Sequence, residues 1–429
     1  MNAAATSGRW ASFGVLAALW AMVFASSSQV MIMAPILPRI HAELGVSTAL
    51  TGTLVTGYAI TLSVFALVTG PISDRVGRRA VLLWGSGAMT VALLLHLLAV
   101  DFASLLAVRV LAGVAGGVLT GSAVSFVGDY FPYGRRGWAN GWVMSGFAMG
   151  QIVGVPIGTV IGSSHGFAAA FVLFAAIMTV AFVLVLLVVP QPRIERSERP
   201  LTLSTGLGEY VALLSMRPVR GAALVYATMF FAVSNFVVYL PSWAESELGL
   251  SAGDIAMMFT VGGIASVLFG PRVGRLSDRV GRRPLILISC TGAAIQFATT
   301  TVFVQGAVTA SIMFFVAMTL LALRLSPLQA LLSALVPDAR RGAFMSLVVA
   351  TGQLGGGLGA AVAGLLYTQI GYGACTIASS VSILITATLV WRELPEPALR
   401  TADVARSGAP VTAGDGEVVA QEREQVVAR

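Results

Sequence analysis

The run Ser73-Asp74-Arg75-Val76-Gly77-Arg78-Arg79 occurs a second time as Ser277-Asp278-Arg279-Val280-Gly281-Arg282-Arg283, about half a chain length further on. A second pair keeps nearly the same offset, Pro132-Tyr-Gly-Arg135-Arg136-Gly137 against Pro337-Asp-Ala-Arg340-Arg341-Gly342. Seven identical residues at that distance point to an internal duplication. The arginines can bridge the carboxylate among them and can also hold anionic lipid headgroups. Gly77 and Gly281 permit a turn, and Gly70 and Gly274 permit close helix approach. Asp74 and Asp278 can sit near helix N-termini, where the dipole and unsatisfied N–H groups favour a carboxylate.

Two further arginines, Arg109 and Arg324, stand alone in apolar runs. A charge at membrane depth costs at least about 2.5–3.5 kcal/mol on insertion scales, so each is a functional candidate. None of the 19 acidic residues lies clearly in the middle of such a run. Asp129, at the inner end of one, is the nearest candidate proton carrier, with an ordinary helix-end residue as the alternative. Two embedded cations without an embedded carboxylate suit an anionic substrate, held by bidentate pairing.

The elements that must position these groups are membrane spans. Hydrophobic residues make up 57% of the chain and charged residues 10%, with a mean hydropathy of +0.87. Soluble domains carry about 25% charged residues, so a normal wet surface is excluded. Spans of about 20 apolar residues fall near 12–37, 49–70, 80–100, 104–128, 137–161, 167–189, 219–242, 254–274, 284–304, 308–333, 343–368 and 373–391. The fold class expected is an all-α membrane protein of twelve helices in two parallel repeats.

Every one of the 26 basic residues is an arginine, and all but Arg39, Arg109 and Arg324 map to one face. By the positive-inside rule that face, with both termini, is cytoplasmic. The net charge of +7 is thus a topology signal, and nucleic-acid binding is a poor reading of it. Residues 1–11 form the N-terminus, 12–189 and 219–391 the two six-helix bundles, and 190–218 a linker. In the linker Leu207, Tyr210, Val211 and Leu214 recur on one helix face, which suits an interfacial helix or a plain tether. The tail from 392 lacks apolar periodicity and reads as disordered. Cys290 and Cys375 have no metal or disulfide spacing. The three histidines, His41, His96 and His165, all near outer span ends, form no zinc motif, which argues against an intramembrane enzyme.

The run from Gly70 to Arg79, with its copy from Gly274 to Arg283, resembles the hallmark loops between helices two and three and helices eight and nine of the major facilitator superfamily. The resemblance implies two six-helix bundles around a central cavity, alternating between inward-open and outward-open forms. These loops would then latch the two halves in the outward-facing state; simple enforcement of topology is the alternative. Arg109-Val-Leu-Ala-Gly113 resembles the superfamily's fourth-helix motif, with Ala112 where Gln is usual, and implies a role for Arg109 in proton coupling. Snorkelling of Arg109 to the outer interface is the alternative. Arg324, followed by Pro327, has the better claim to face the cavity.

In the fifth span Gly141, Gly146, Gly150, Gly154, Pro156 and Gly158 line up small residues along a helix face that a neighbour can approach. Pro156 breaks one backbone bond and provides a bend. The spacing resembles the antiporter motif of drug–proton exporters, although Val155 separates Gly154 from Pro156 and Thr159 replaces a glycine. Further lining candidates, in spans that resemble cavity-lining helices, are Gln29, Tyr58, Gln151, Tyr226, Asn235, Tyr239 and Gln353. His96 lies on a helix that is peripheral in this fold and reads as structural.

The expectation is a proton-coupled exporter of small organic compounds in a bacterial-type inner membrane, acting as a monomer. Its partners would be a small-molecule substrate and the lipid bilayer, with the proton gradient in place of any cofactor. Uptake of an organic anion is the alternative. A receptor or structural membrane protein would not require two matched latch loops.

Overall fold

The computed structural model of the protein describes residues 3–192, 203–333, 335, 336 and 338–394. Among the described residues twelve helices are long and apolar enough to cross a membrane. Spans one to six are Ser12–Met31, Thr48–Gly70, Arg78–Leu98, Phe102–Tyr130, Arg135–His165 and Phe167–Val188. Spans seven to twelve are Arg217–Leu248, Ala252–Gly274, Arg282–Phe303, Ala307–Leu332, Gly342–Gln369 and Tyr372–Glu393.

Three spans are less continuous than their apolar runs suggest; in span seven, Val238 and Tyr239 separate Arg217–Val237 from Leu240–Leu248. The first helix ends at Met31 and a second, Met33–Leu44, continues the chain. Pro35 has no amide for the Met31 carbonyl, so the expected run to 37 becomes two helices. In span four, Thr120 and Gly121 separate Phe102–Leu119 from Ser122–Tyr130. In span ten the corresponding disturbance is Pro327, inside the helix Ala307–Ser333.

The packing repeats as the sequence does. Span one packs on five and six, two on four, and three on four and six. Span seven packs on eleven and twelve, eight on ten, and nine on ten and twelve. Each pairing returns with its numbers raised by six, which is the signature of parallel repeats. The turns repeat too: Gly77 and Gly281 have φ of 107° and 101°, a region L side chains rarely adopt. The halves meet along spans two and eleven and along five and eight.

The linker carries a helix, Leu203–Ser215. Its apolar residues divide between two sides. Leu213 is buried and the Tyr210 hydroxyl donates to the Leu67 carbonyl of span two at 2.8 Å, while Val211 and Leu214 are exposed. The Leu207 side chain and the whole tail from 395 lie outside the described residues.

Candidate substrate and coupling site

Arg109 is 1% exposed and points into the first bundle. Its Nη1 donates to Gln29 Oε1 at 2.9 Å, and Gln29 Nε2 donates to the Tyr58 hydroxyl at 3.1 Å. The guanidinium carbon lies 4.6 Å from the centre of the Tyr58 ring, a cation–π distance. Three candidates from spans one, two and four thus form one cage, and Arg109 does not snorkel. Ala112, in place of the usual Gln, is fully buried beside it. His96 is also sealed, stacked on Phe171 with centroids 3.7 Å apart, and its Nδ1 meets the Ala92 carbonyl at 2.9 Å.

Arg324 is equally enclosed, at 2% exposure, but its surroundings differ. It lies beside the Cys290 thiol of span nine. Neither Nε nor Nη1 has a hydrogen-bond partner among the described residues. The same side of span ten is held to span nine by the Ser289 hydroxyl on the Leu320 carbonyl, and by Gln296 Nε2 on the Met313 carbonyl at 2.8 Å. Leu320 and Arg324, one turn apart, share that side, which turns Arg324 toward span nine. Cys290 was invisible as a site residue in the sequence, because only the rotation of span nine reveals its neighbour.

The remaining polar candidates scatter. Asn235 is buried with Nδ2 donating to the Cys375 carbonyl of span twelve at 3.3 Å, so it belongs to a seam inside the second half. Tyr226 is buried and reaches toward Gln329 of span ten without a bond of good geometry. Gln151 and Gln353 are half-buried and make no hydrogen bond among the described residues. Gln151 lies where span five meets Gly263 of span eight.

Tyr239 belongs to a contact between the halves. Its hydroxyl donates to the Thr48 carbonyl at 2.7 Å and accepts the Gly52 amide at 2.9 Å. Thr56 donates to the Gly357 carbonyl at 2.7 Å, and Arg39 and Glu245 approach to 3.9 Å at the same end. All these groups lie toward the face opposite the arginine-rich turns.

Span five packs on span one as its glycines allow. Gly146, Gly150, Gly154 and Gly158 lie against Trp20, Ser27 with Ser28, Ser28 and Ile32 in turn. A Cβ at Gly146 would stand 2.7 Å from the Trp20 carbonyl oxygen. Gly141, by contrast, faces open space. The residues Gly150–Gly154 form a π-helical turn just before Pro156. Pro156 offers no amide to the Ile152 carbonyl, which instead accepts a long 3.5 Å bond from Thr260 of span eight.

The two arginine-rich turns make matching contacts. Arg79 Nη2 donates to the Leu186 carbonyl at 2.7 Å, at the end of span six. Arg283 Nη2 donates to the Trp391 carbonyl at the end of span twelve. Both satisfy carbonyls that a helix C-terminus leaves unpaired. Arg78 donates through Nε to Asp129 Oδ2 at 2.6 Å and through Nη1 to the Ser73 hydroxyl at 2.9 Å. Arg282 donates to the Ala330 carbonyl at 3.2 Å. Asp129 is thus an ion-pair partner of the turn rather than an isolated carboxylate near the core.

Arg75 and Arg279 are exposed. Asp74 and Asp278 fall in the last turn of their own helices, Thr48–Val76 and Ala252–Val280, not at an N-terminus of those helices. Their side chains lie outside the described residues. The close approach expected at Gly70 is absent, since a Cβ there would meet open space; at Gly274 it would meet only Ser326 Oγ at 3.5 Å. The described contacts of these arginines stay inside their own half.

The comparisons with known proteins agree with this architecture. The sequence model of the Major Facilitator Superfamily matches residues 19–245 and again 222–422. An uncharacterized MFS-type transporter, YceJ of Bacillus subtilis (strain 168), is 27% identical over 379 residues, covering 86% of this chain and 94% of that protein. The multidrug resistance protein MdtG of Proteus mirabilis (strain HI4320) is 26% identical over 285 residues, 63% of this chain and 69% of its own. Among solved structures, a D-xylose-proton symporter superposes with a TM-score of 0.73 at 17% identity, over 90% of this chain and 98% of that one. Repeated bundles, matched turns and a family match to each half lead to one conclusion: the chain belongs to the Major Facilitator Superfamily, a multi-pass membrane transporter of small molecules and not an enzyme.

Proposed function

We propose that the protein is a proton-coupled exporter of small organic compounds, working by alternating access as a monomer in the cytoplasmic membrane. The observation that carries this reading is the Arg109 cage. A fixed buried cation held by spans one, two and four sits in the bundle whose span one is packed glycine-to-backbone against span five. A proton or cationic ligand entering that region feels the arginine's field in a low-dielectric setting. The antiporter-like glycines of span five and the partial likeness to multidrug resistance proteins support export. In this reading the arginine-rich turns and both termini face the cytoplasm. The Tyr239 contacts then close the outer face, and the turns latch the halves only in the other state.

Everted membrane vesicles test the proposal. Addition of an exported compound to energised vesicles should release protons, read as dequenching of a pH-sensitive dye, and the release should vanish in Arg109→Ala. Flux of the same compounds that ignores an imposed pH gradient would remove the coupling. Accumulation in right-side-out vesicles would reverse the direction.

A further inference from the structure

Arg324 is a cation that the transport reading does not use. Its Nε and Nη1 are buried and unpartnered, and no ion pair to it occurs among the described residues. The nearest titratable neighbour is the Cys290 thiol, a weak partner. Arg109 shows that the same fold can supply a guanidinium with an amide oxygen and a ring face. At Arg324 those valences are open.

A buried guanidinium with free donors calls for an acceptor, because desolvated charge is stable only when paired and hydrogen-bonded. The backbone beside it can yield. Pro327 removes the amide that would hold the Leu323 carbonyl, so span ten is weakest next to the arginine. Span four is broken at the matching level by Gly121.

We propose that Arg324 binds the carboxylate of an organic anion, with Cys290 at the edge of the site. The inference rests on the transport reading only in that the anion enters when span ten bends. A planar donor group favours a carboxylate over a spherical ion.

The test uses the full chain purified in lipid nanodiscs, with Cys375→Ser leaving Cys290 as the single thiol. Benzoate is the probe, and chloride the comparison at equal ionic strength. At twice its dissociation constant, benzoate should slow N-ethylmaleimide labelling of Cys290 about threefold, following simple site occupancy. It should also raise the melting temperature, and Arg324→Gln should abolish both effects. A benzoate response that persists in Arg324→Gln overturns the proposal. So does a melting temperature indifferent to benzoate, or one that chloride raises equally. Should Arg324→Gln not fold, Arg324→Lys decides: it keeps the charge without the planar fork, and a full benzoate response would overturn the assignment. Should Cys290 not label at all, the melting temperature decides alone. Proton-coupled export in vesicles is scored separately, so exporter and anion site can fail independently.

Discussion

Arg109 and Arg324 are both sealed in apolar bundles, and they solve the problem of a buried charge in opposite ways. Arg109 draws Gln29 and Tyr58 from two other spans into a cage. Arg324 packs beside one thiol and leaves two nitrogens unpaired. The two positions are not equivalent in the repeat, since Arg109 lies near the end of span four away from the arginine-rich turns and Arg324 toward the end of span ten on the side of those turns. Duplication therefore set the scaffold, and the charges were placed on it independently. A caged cation contributes a fixed field, whereas an uncaged one keeps its donors for a visitor.

The comparison breaks first at Arg109. Arg109→Ala leaves Gln29 Oε1 without its donor and removes the field, so proton-linked flux in everted vesicles should fall at least about tenfold, roughly 1.4 kcal/mol of barrier or more. Unchanged flux with normal protein levels would make the cage merely structural. A subtler test asks what holds the two halves together. Tyr239→Phe deletes the bonds to Thr48 and Gly52, a loss of about 1–2 kcal/mol and roughly a 5- to 30-fold population shift. Spin labels on spans one and seven, at the ends away from the arginine-rich turns, should then separate. Constant distances would show that other contacts hold the gate.

Smaller effects sharpen the picture. Tyr58→Phe keeps the ring under Arg109 and loses only the hydroxyl bonded by Gln29, so melting should shift by the equivalent of about 0.5–1.5 kcal/mol with flux retained. Loss of flux in that variant would give the hydroxyl a part in coupling. Smallest is Asp129→Asn. The pair with Arg78 is partly exposed, its side chains 17% and 29% accessible, and such pairs are worth about 0.2–1 kcal/mol. Proton-linked export should survive it; abolition would restore Asp129 as a proton carrier.

Much of the fold is legible in the chain because it depends on local properties. Apolar length places the spans, the repeated Ser-Asp-Arg-Val-Gly-Arg-Arg places the turns, and Pro156 marks the disturbance of span five. The site is less legible. Gln29, Tyr58 and Arg109 each look like candidates, but their union depends on the rotation of three helices that uniform apolarity leaves unmarked. Asn235 and Tyr239 are four residues apart across the break in span seven, and one faces span twelve while the other crosses to the opposite half. Cys290 carries no signal at all until span ten is laid beside it.

The twin ties from Arg79 to Leu186 and from Arg283 to Trp391 have a consequence for how the molecule is made. Each ties the third helix of its unit to the last, so a six-helix unit is sewn shut as soon as its final helix leaves the insertion machinery. The earlier unit can wait, complete, while its sibling is still being synthesised. Assembly then reduces to docking two finished parcels, and a chain severed in the linker should still yield a working pair.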